Sequence, residues 1–225
     1  MTRTKTGTGS RTVVEATVDS IRSGILEGRY ASGQRLIEAD LTRELGVSRG
    51  PLREALGRLA ADGLVEIEPY RGAVVVRPSR QDIADLLQLR EALEGLAARL
   101  ATERIHIGDN RRRVLAEQAA IRRSNANLEV MAYMEDNERF HNLILDLAGN
   151  PQIRRLVAQM QLPTLQQAFF RMFDQKLRAE SLAQHGEIID AILAGNPARA
   201  EKAMRTHVGR TGDLAKRLPD SLFGA

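Results

Sequence analysis

Cysteine is missing from all 225 residues, which excludes a disulfide framework and any thiolate metal site. No run of residues approaches the roughly 18 apolar positions that a membrane-spanning helix needs. The opening stretch MTRTKTGTGSRT is basic and polar, and no apolar h-region follows to make it a secretory signal. Residues 1–10 are therefore expected to form a disordered basic arm. These absences fit a cytoplasmic protein with no membrane partner. An excess of one charge is missing too. The net charge is +4, and residues 1–79 carry 12 Lys and Arg against 10 Asp and Glu. Bulk charge does not single out a nucleic-acid domain, so a case for DNA must rest on local arrangement. Convincing internal repeats are lacking, as is low complexity beyond the arm.

What remains is ordinary globular material, 43% hydrophobic and 28% charged, in a length that suits one large or two ordinary domains. Val14, Val18, Ile21, Ile25 and Leu26 recur at a helical period over 13–27, and Gly28 ends it. A turn at Ser32-Gly33 precedes a short helix, 38–45, closed by Gly46. Ser48 suits an N-cap, and Pro51 falls in the first turn, where a missing N–H costs little. Leu52, Ala55, Leu56 and Leu59 give the third helix its buried stripe. After Asp62-Gly63, residues 64–68 and 73–77 read as two strands of a hairpin through Pro69-Tyr70-Arg71-Gly72. Three helices and a short hairpin in this order, over 11–78, are the plan of a winged helix-turn-helix.

From residue 79 to 217 the texture changes to an all-α antiparallel bundle, with helices near 82–105, 109–124, 127–148, 151–173 (bent at Pro163), 176–194 and 197–217. Asn150-Pro151 and Asn196-Pro197 each join an N-cap residue to a proline at the first helical position. Gly149 and Gly195 stop the helices before them. Residues 218–225 are left as a tail. The expected fold is mainly α, with no strand candidate after residue 78.

Groove recognition needs a tight turn and then a helix that presents polar groups at its N-terminus. Gly46 supplies the turn, and Ser48, Arg49 and Arg53 supply the polar groups. Arg49 and Arg53, four apart, share the face opposite Leu52, Leu56 and Leu59. An arginine fork matches guanine O6 and N7, and helix N-terminal amides favour a phosphate. Arg71 and Gly72, at the wing tip, could approach the backbone or minor groove. Residues 13–78, with the run GVSRGPLREALGRLAADGLVE, resemble the DNA-binding domain of the GntR family. The resemblance implies that Arg49, Arg53, Arg71 and Gly72 touch DNA. Ala39 stands where some members carry another arginine, which alters the contacts of the second helix.

The chain has four histidines, and three fall on apolar stripes. In 127–148 the stripe runs Val130, Met134, Asn137, His141, Leu145, Ala148. In 176–194 it runs Leu182, His185, Ile189, Ile192, and in 197–217 Ala200, Ala203, Met204, His207, Leu214. His106 shows no such placement. A buried imidazole is costly unless its nitrogens are satisfied, and helix bundles build metal sites from facing side chains. A divalent ion is expected, of a kind (Zn, Ni, Fe, Mn or Co) that imidazole does not decide.

The stretches LLQLREALEGLAARLA, NERFHNLILDLAGNP and HGEIIDAILAGNPARAEKAMRTH resemble the FCD ligand-binding domain of the FadR-type GntR subgroup. Many such domains hold a metal through an Asp and three histidines, which implies His141, His185 and His207 here. Asn137 stands at the Asp position, with Asp136 displaced by one residue and rotated about 100° off the stripe. Arg90 lies inside the stripe Ile83, Leu86, Leu87, Leu93, Ala97, Leu100. It is either paired with Glu94 at i+4 or a cation facing the cavity, ready for an effector carboxylate.

Together these readings describe a transcription regulator and not an enzyme. A homodimer presents two recognition helices to a palindromic double-stranded operator, and a small carboxylate effector releases repression. A pure metal sensor is the second reading. A three-histidine metalloenzyme is disfavoured, because a hydrolytic zinc site needs a nearby general base and the histidine stripes carry no inward carboxylate.

Overall fold

The computed structural model describes residues 12–124, 129–160, 173–220 and 223–224, so the expected basic arm lies outside the described residues. They fall into two compact units that divide between Arg77 and Pro78. The first holds helices α1 (Val13–Leu26), α2 (Glu38–Leu45) and α3 (Arg49–Ala61), with strands β1 (Arg35–Leu36), β2 (Val65–Glu68) and β3 (Gly72–Val75). Thr12 and Glu15 make a reciprocal capping box that starts α1, satisfying amides that have no helical partner. Gly46 closes α2 at φ 66°, ψ 29°, a left-handed conformation that would strain a side chain. That is the tight turn between the two helices.

The hairpin expected over 64–68 and 73–77 is a three-stranded antiparallel sheet, order β1-β3-β2. β1, which the sequence reading leaves in a turn region, pairs Arg35 with Val74 and Leu36 with Ala73. β2 pairs Val65 with Val75 through Glu68 with Gly72. Under the sheet lie Ile21, Leu36, Leu41, Leu52, Leu56, Leu59 and Leu64, all nearly inaccessible to solvent. Each fully buried leucine contributes about 1.5–3 kcal/mol, so the face of α3 opposite its arginines fixes the helix in its unit.

The second unit, from Pro78 onward, is helical among the described residues. It comprises α4 (Arg80–Glu103), α5 (Asn110–Ser124), α6 (Val130–Leu147), α7 (Pro151–Gln159), α8 (Gln175–Leu193) and α9 (Pro197–Ala215). Local signals set these limits. Ser79 and Asp82 form a capping box at α4, and Asn150 and Asn196 cap α7 and α9 with a proline beside each. The expected bend at Pro163 lies outside the described residues. The core joins Ala97, Ala101, Phe140, Ile144, Leu147, Ile188, Ile192, Met204 and Val208. The face of α6 differs from the expected stripe: its deepest residues are Tyr133, Phe140, Ile144 and Leu147, while Val130 and Met134 are only half-buried. Phenylalanine and isoleucine gain more from burial than the histidine and asparagine beside them, and they turn the helix accordingly.

The last residues pack back on this unit. Leu218 and Phe223 are buried, the Arg80 guanidinium lies 4.1 Å from the Phe223 ring centre, and the Gly224 amide donates to the Pro78 carbonyl. No helix among the described residues is long and apolar enough to cross a membrane.

Candidate nucleic-acid interface and metal centre

Ser48 stands at the N-cap of α3 in extended backbone, and its side chain makes no capping bond. It, Arg49 and Arg53 are exposed at the start of the helix. Arg53 is not solitary: its Nε lies 3.0 and 3.1 Å from the two carboxylate oxygens of Glu38, the first residue of α2. This exposed pair orients the fork and competes with any base for it. At the wing, Arg71 pairs with Glu68 at 2.9 Å and Gly72 takes φ 80°. Sequence reasoning passed over Tyr70 beside them. It is fully exposed, and among the described residues it alone takes a positive φ (64°) without being glycine. The structure therefore presents two exposed clusters in the first unit, at the start of α3 and at the β2–β3 tip.

In the second unit α6, α8 and α9 bring His141, His185 and His207 together. Nε2 of His207 lies 3.2 Å from Nε2 of His185 and 3.3 Å from Nε2 of His141. His185 and His207 are buried, and His141 is 14% exposed. Nδ1 of His141 faces a Glu94 carboxylate oxygen at 2.5 Å, and Nδ1 of His207 faces the Gln184 amide oxygen at 3.0 Å. Both partners are acceptors, so Nδ1 carries the proton in each ring and the Nε2 lone pairs turn toward one point. Nitrogens about 2.0–2.1 Å from a tetrahedral ion stand roughly 3.3 Å apart, the spacing seen here. Nδ1 of His185 is buried with no hydrogen-bond partner, while its ring stacks on Phe140, 3.9 Å between centres. The donor set fits a divalent ion.

Electrostatics point the same way. Burial, with the neighbouring histidine rings adding to it, pushes His207 down to about 3 and His185 well below the usual imidazole range. Both are neutral at pH 7, as ligands must be. Burial alone would raise the Glu94 carboxyl, but His141 and Arg90 outweigh it and hold it below the ordinary carboxylate range.

Glu94 is the residue that the histidine stripes did not reveal. It sits on α4, 2% exposed, and its other oxygen accepts from Arg90 Nε and Nη2 at 2.9 and 2.7 Å. Of the two readings of Arg90, the geometry gives the paired one. Its signal was the i+4 spacing, which an ordinary surface pair shares. With both oxygens engaged, Glu94 is no general base. Asn137 is half-buried one turn before His141 on α6. Asp136 points elsewhere, bound by Ser124 and Arg139. His106 is exposed. A cavity of about 10 Å³ beside His207 is lined by Gln184 and Arg210, and the latter was legible only as His207 plus three.

Residues 13–75 match the bacterial regulatory proteins of the gntR family, and residues 85–210 match the FCD domain. The chain belongs to the GntR family. It is a DNA-binding transcriptional regulator of the GntR/FCD type, not an enzyme, and GntR regulators act on operator DNA. Among its relatives is a probable D-xylose utilization operon transcriptional repressor of Paenarthrobacter nicotinovorans, 29% identical over 201 residues, covering 88% of this chain and 87% of that protein. The galactonate operon transcriptional repressor of Escherichia coli K12 is 28% identical over 204 residues, covering 82% and 88%. A GntR transcriptional regulator from Rhodococcus sp. RHA1 shares the fold, with a TM-score of 0.65 at 24% identity over 90% of this chain and 97% of that one.

Proposed function

We propose that this GntR regulator is a homodimeric repressor that a small organic acid releases from a palindromic operator. The acid would bind in the FCD domain at a divalent ion held by His141, His185, His207 and Asn137. The observation that carries this reading is the gathering of three Nε2 atoms, with the His141 ring tied back to Glu94 and the His207 ring to Gln184. When bound, the ion supplies a Lewis-acidic centre with open positions for a carboxylate. The protein's part is to fix the ring tautomers, keep the imidazoles neutral and place Arg90 and Arg210 near by. Arg210 lines the same small cavity as His207 and Arg90 stands behind it, held by Glu94, so both add positive potential for an anion. On the DNA side Arg49 and Arg53 read base edges, while Ser48, Arg71 and Gly72 meet the backbone.

Asn137 sharpens the reading. A neutral amide leaves a divalent ion with one more unit of positive charge than an Asp would, which favours an anionic effector. Asn137→Asp is expected to tighten the metal and weaken the acid. The test is elemental analysis of protein prepared without chelator or affinity-tag nickel, then calorimetry with mono-, di- and tricarboxylates on both proteins, then operator binding with the best acid. Metal-free protein that cannot be reloaded, or an acid that leaves operator affinity unchanged, overturns the reading. The small cavity beside His207 among the described residues holds about one water. It favours, as a second reading, the metal alone as signal. Operator release by metal in a metabolite-free buffer would mark that case.

A further inference from the structure

A cavity of about 280 Å³ opens between α4 and α9 and shares no residue with the histidine cluster. Gly209 and Gly212 floor it, about 200° and 140° round α9 from His207. Its volume is close to the lower end of what small-molecule pockets occupy. Ile83 and Leu87 of α4 and Phe223 from the last residues make apolar walls. The two glycines lie within a helix, where only proline is a poorer choice, and packing does not demand them. A Cβ on Gly212 would meet nothing closer than Leu87 Cδ1 at 3.8 Å, and one on Gly209 would approach only the Glu91 carboxylate, at 3.3 Å. Gly95 of α4 is the contrast, since a Cβ there would lie 2.5 Å from the Arg205 side chain. What the missing side chains of α9 leave is the cavity itself.

Four charged side chains line the cavity, and their partners say what it can take. Asp213 and Lys216 pair with each other out in solvent, each 73% exposed. Arg80 is held by Asp220 and by the Lys216 and Leu218 carbonyls, and it lies against Phe223. Glu91 is set back from water, 29% exposed. Its Oε1 takes Arg205 at 3.0 Å, while Oε2 has no partner among the described residues and is the atom that faces Gly209. A carboxylate has room for about four donors, so the Arg205 pair leaves this oxygen open. We infer that the cavity binds a small organic amine. Its apolar body lies against Ile83, Leu87 and Phe223, its ammonium donates to Oε2 of Glu91, and the Gln88 amide oxygen one turn back on α4 is a second acceptor. An acid of the same shape would meet the Glu91 charge head on, and an alcohol would gain only a weaker, neutral donor bond. The site goes beyond the metal-centred reading and does not depend on it.

The experiment uses the full chain and three probes that differ only in the head group: phenylbutylamine, phenylbutanol and phenylbutyrate. Calorimetry is expected to show the amine binding roughly tenfold or more tighter than the alcohol, the gain of a charge-assisted bond. Glu91→Gln should bring the amine down to the level of the alcohol. Gly212→Leu should fill the cavity and abolish amine binding with circular dichroism unchanged. Gly212→Ala, the milder variant, should weaken the amine and raise the melting temperature, because the position is helical and open. An amine that binds Gly212→Leu as well as wild type, or an alcohol that binds as tightly as the amine, overturns the inference. So does a lower melting temperature in Gly212→Ala, which would make the glycine a packing requirement. Phenylbutyrate that outbinds the amine and loses its hold in Gly212→Leu overturns it as well, by giving the cavity to an anion. None of these outcomes touches the histidines or the operator, so the regulator reading stands or falls by its own test.

Discussion

Glu94 shows how one side chain can govern a site it does not enter. It is buried on α4, receives Arg90 on one oxygen and faces the His141 ring on the other. A carboxylate behind an imidazole fixes the tautomer and raises the basicity of the far nitrogen. Glu94→Gln keeps the shape but removes the charge, and the amide can offer its NH2 to His141 and reverse the ring. Metal affinity is expected to fall roughly 10–100-fold, read by competition against a chromogenic chelator, with the fold retained by circular dichroism. An unchanged affinity would make Glu94 a counter-ion for Arg90 and nothing more.

Among the elements, α3 has one buried face and one exposed face, and the exposed one gives the next expectation. Arg49→Ala and Arg53→Ala should each cost about 1–3 kcal/mol in operator binding if the arginine reads a base, with discrimination relaxed at one base pair. Glu38→Gln should unfasten the Arg53 fork and change affinity only when Arg53 is present, which a double-mutant cycle in gel shifts resolves. Equal affinity of the arginine variants and wild type would remove α3 from the interface. Tyr133 ties α6 to α8 by donating to Ser181 Oγ at 2.8 Å, and burial raises its phenol from 10.0 to about 12. A raised folded value stabilises the protonated form. Its contribution is complete below pH 10 and is lost as pH climbs from 10 to 12, about 2–3 kcal/mol in all at roughly 1.4 kcal/mol per unit. Tyr133→Phe should flatten that part of the denaturant-midpoint profile.

The elements also show what the sequence can and cannot say. Two helix starts were legible because caps are local: Asn150 with Pro151 and Asn196 with Pro197 announce themselves in adjacent residues, whereas the Ser79–Asp82 box went unread and its helix was placed from 82 instead of Arg80. β1 was not legible, because two residues become a strand only by pairing with Val74 and Ala73 almost forty positions on. The three histidines could be gathered from their stripes. Glu94 could not, since a buried ion pair and a surface one share the i+4 spacing and only tertiary packing tells them apart.

At the scale of the whole molecule, the two units have separate cores, so metal and operator should each stabilise the unit that holds it. Anything that binds only the folded form adds RT ln(1 + [L]/Kd), about 2.7 kcal/mol at a hundred times Kd. Chelation is therefore expected to lower a melting transition of the second unit and to leave the transition of residues 12–77 in place, as differential scanning calorimetry would resolve. His141→Ala should abolish the metal-dependent part, and His106→Ala, exposed and remote from the cluster, should preserve it. If one cooperative transition moves as a whole, the units are coupled in stability as well as in sequence. Coupling has a stricter consequence. Should the acid weaken operator binding by some factor, operator must weaken acid binding by the same factor, because the two share one free-energy cycle. Measuring the acid by calorimetry with and without operator DNA, and the operator by anisotropy with and without acid, gives two estimates of a single number. Agreement identifies an allosteric switch between the FCD site and the winged helix, whereas acid affinity that ignores DNA would mean the FCD ligand is structural and the repressor is switched elsewhere.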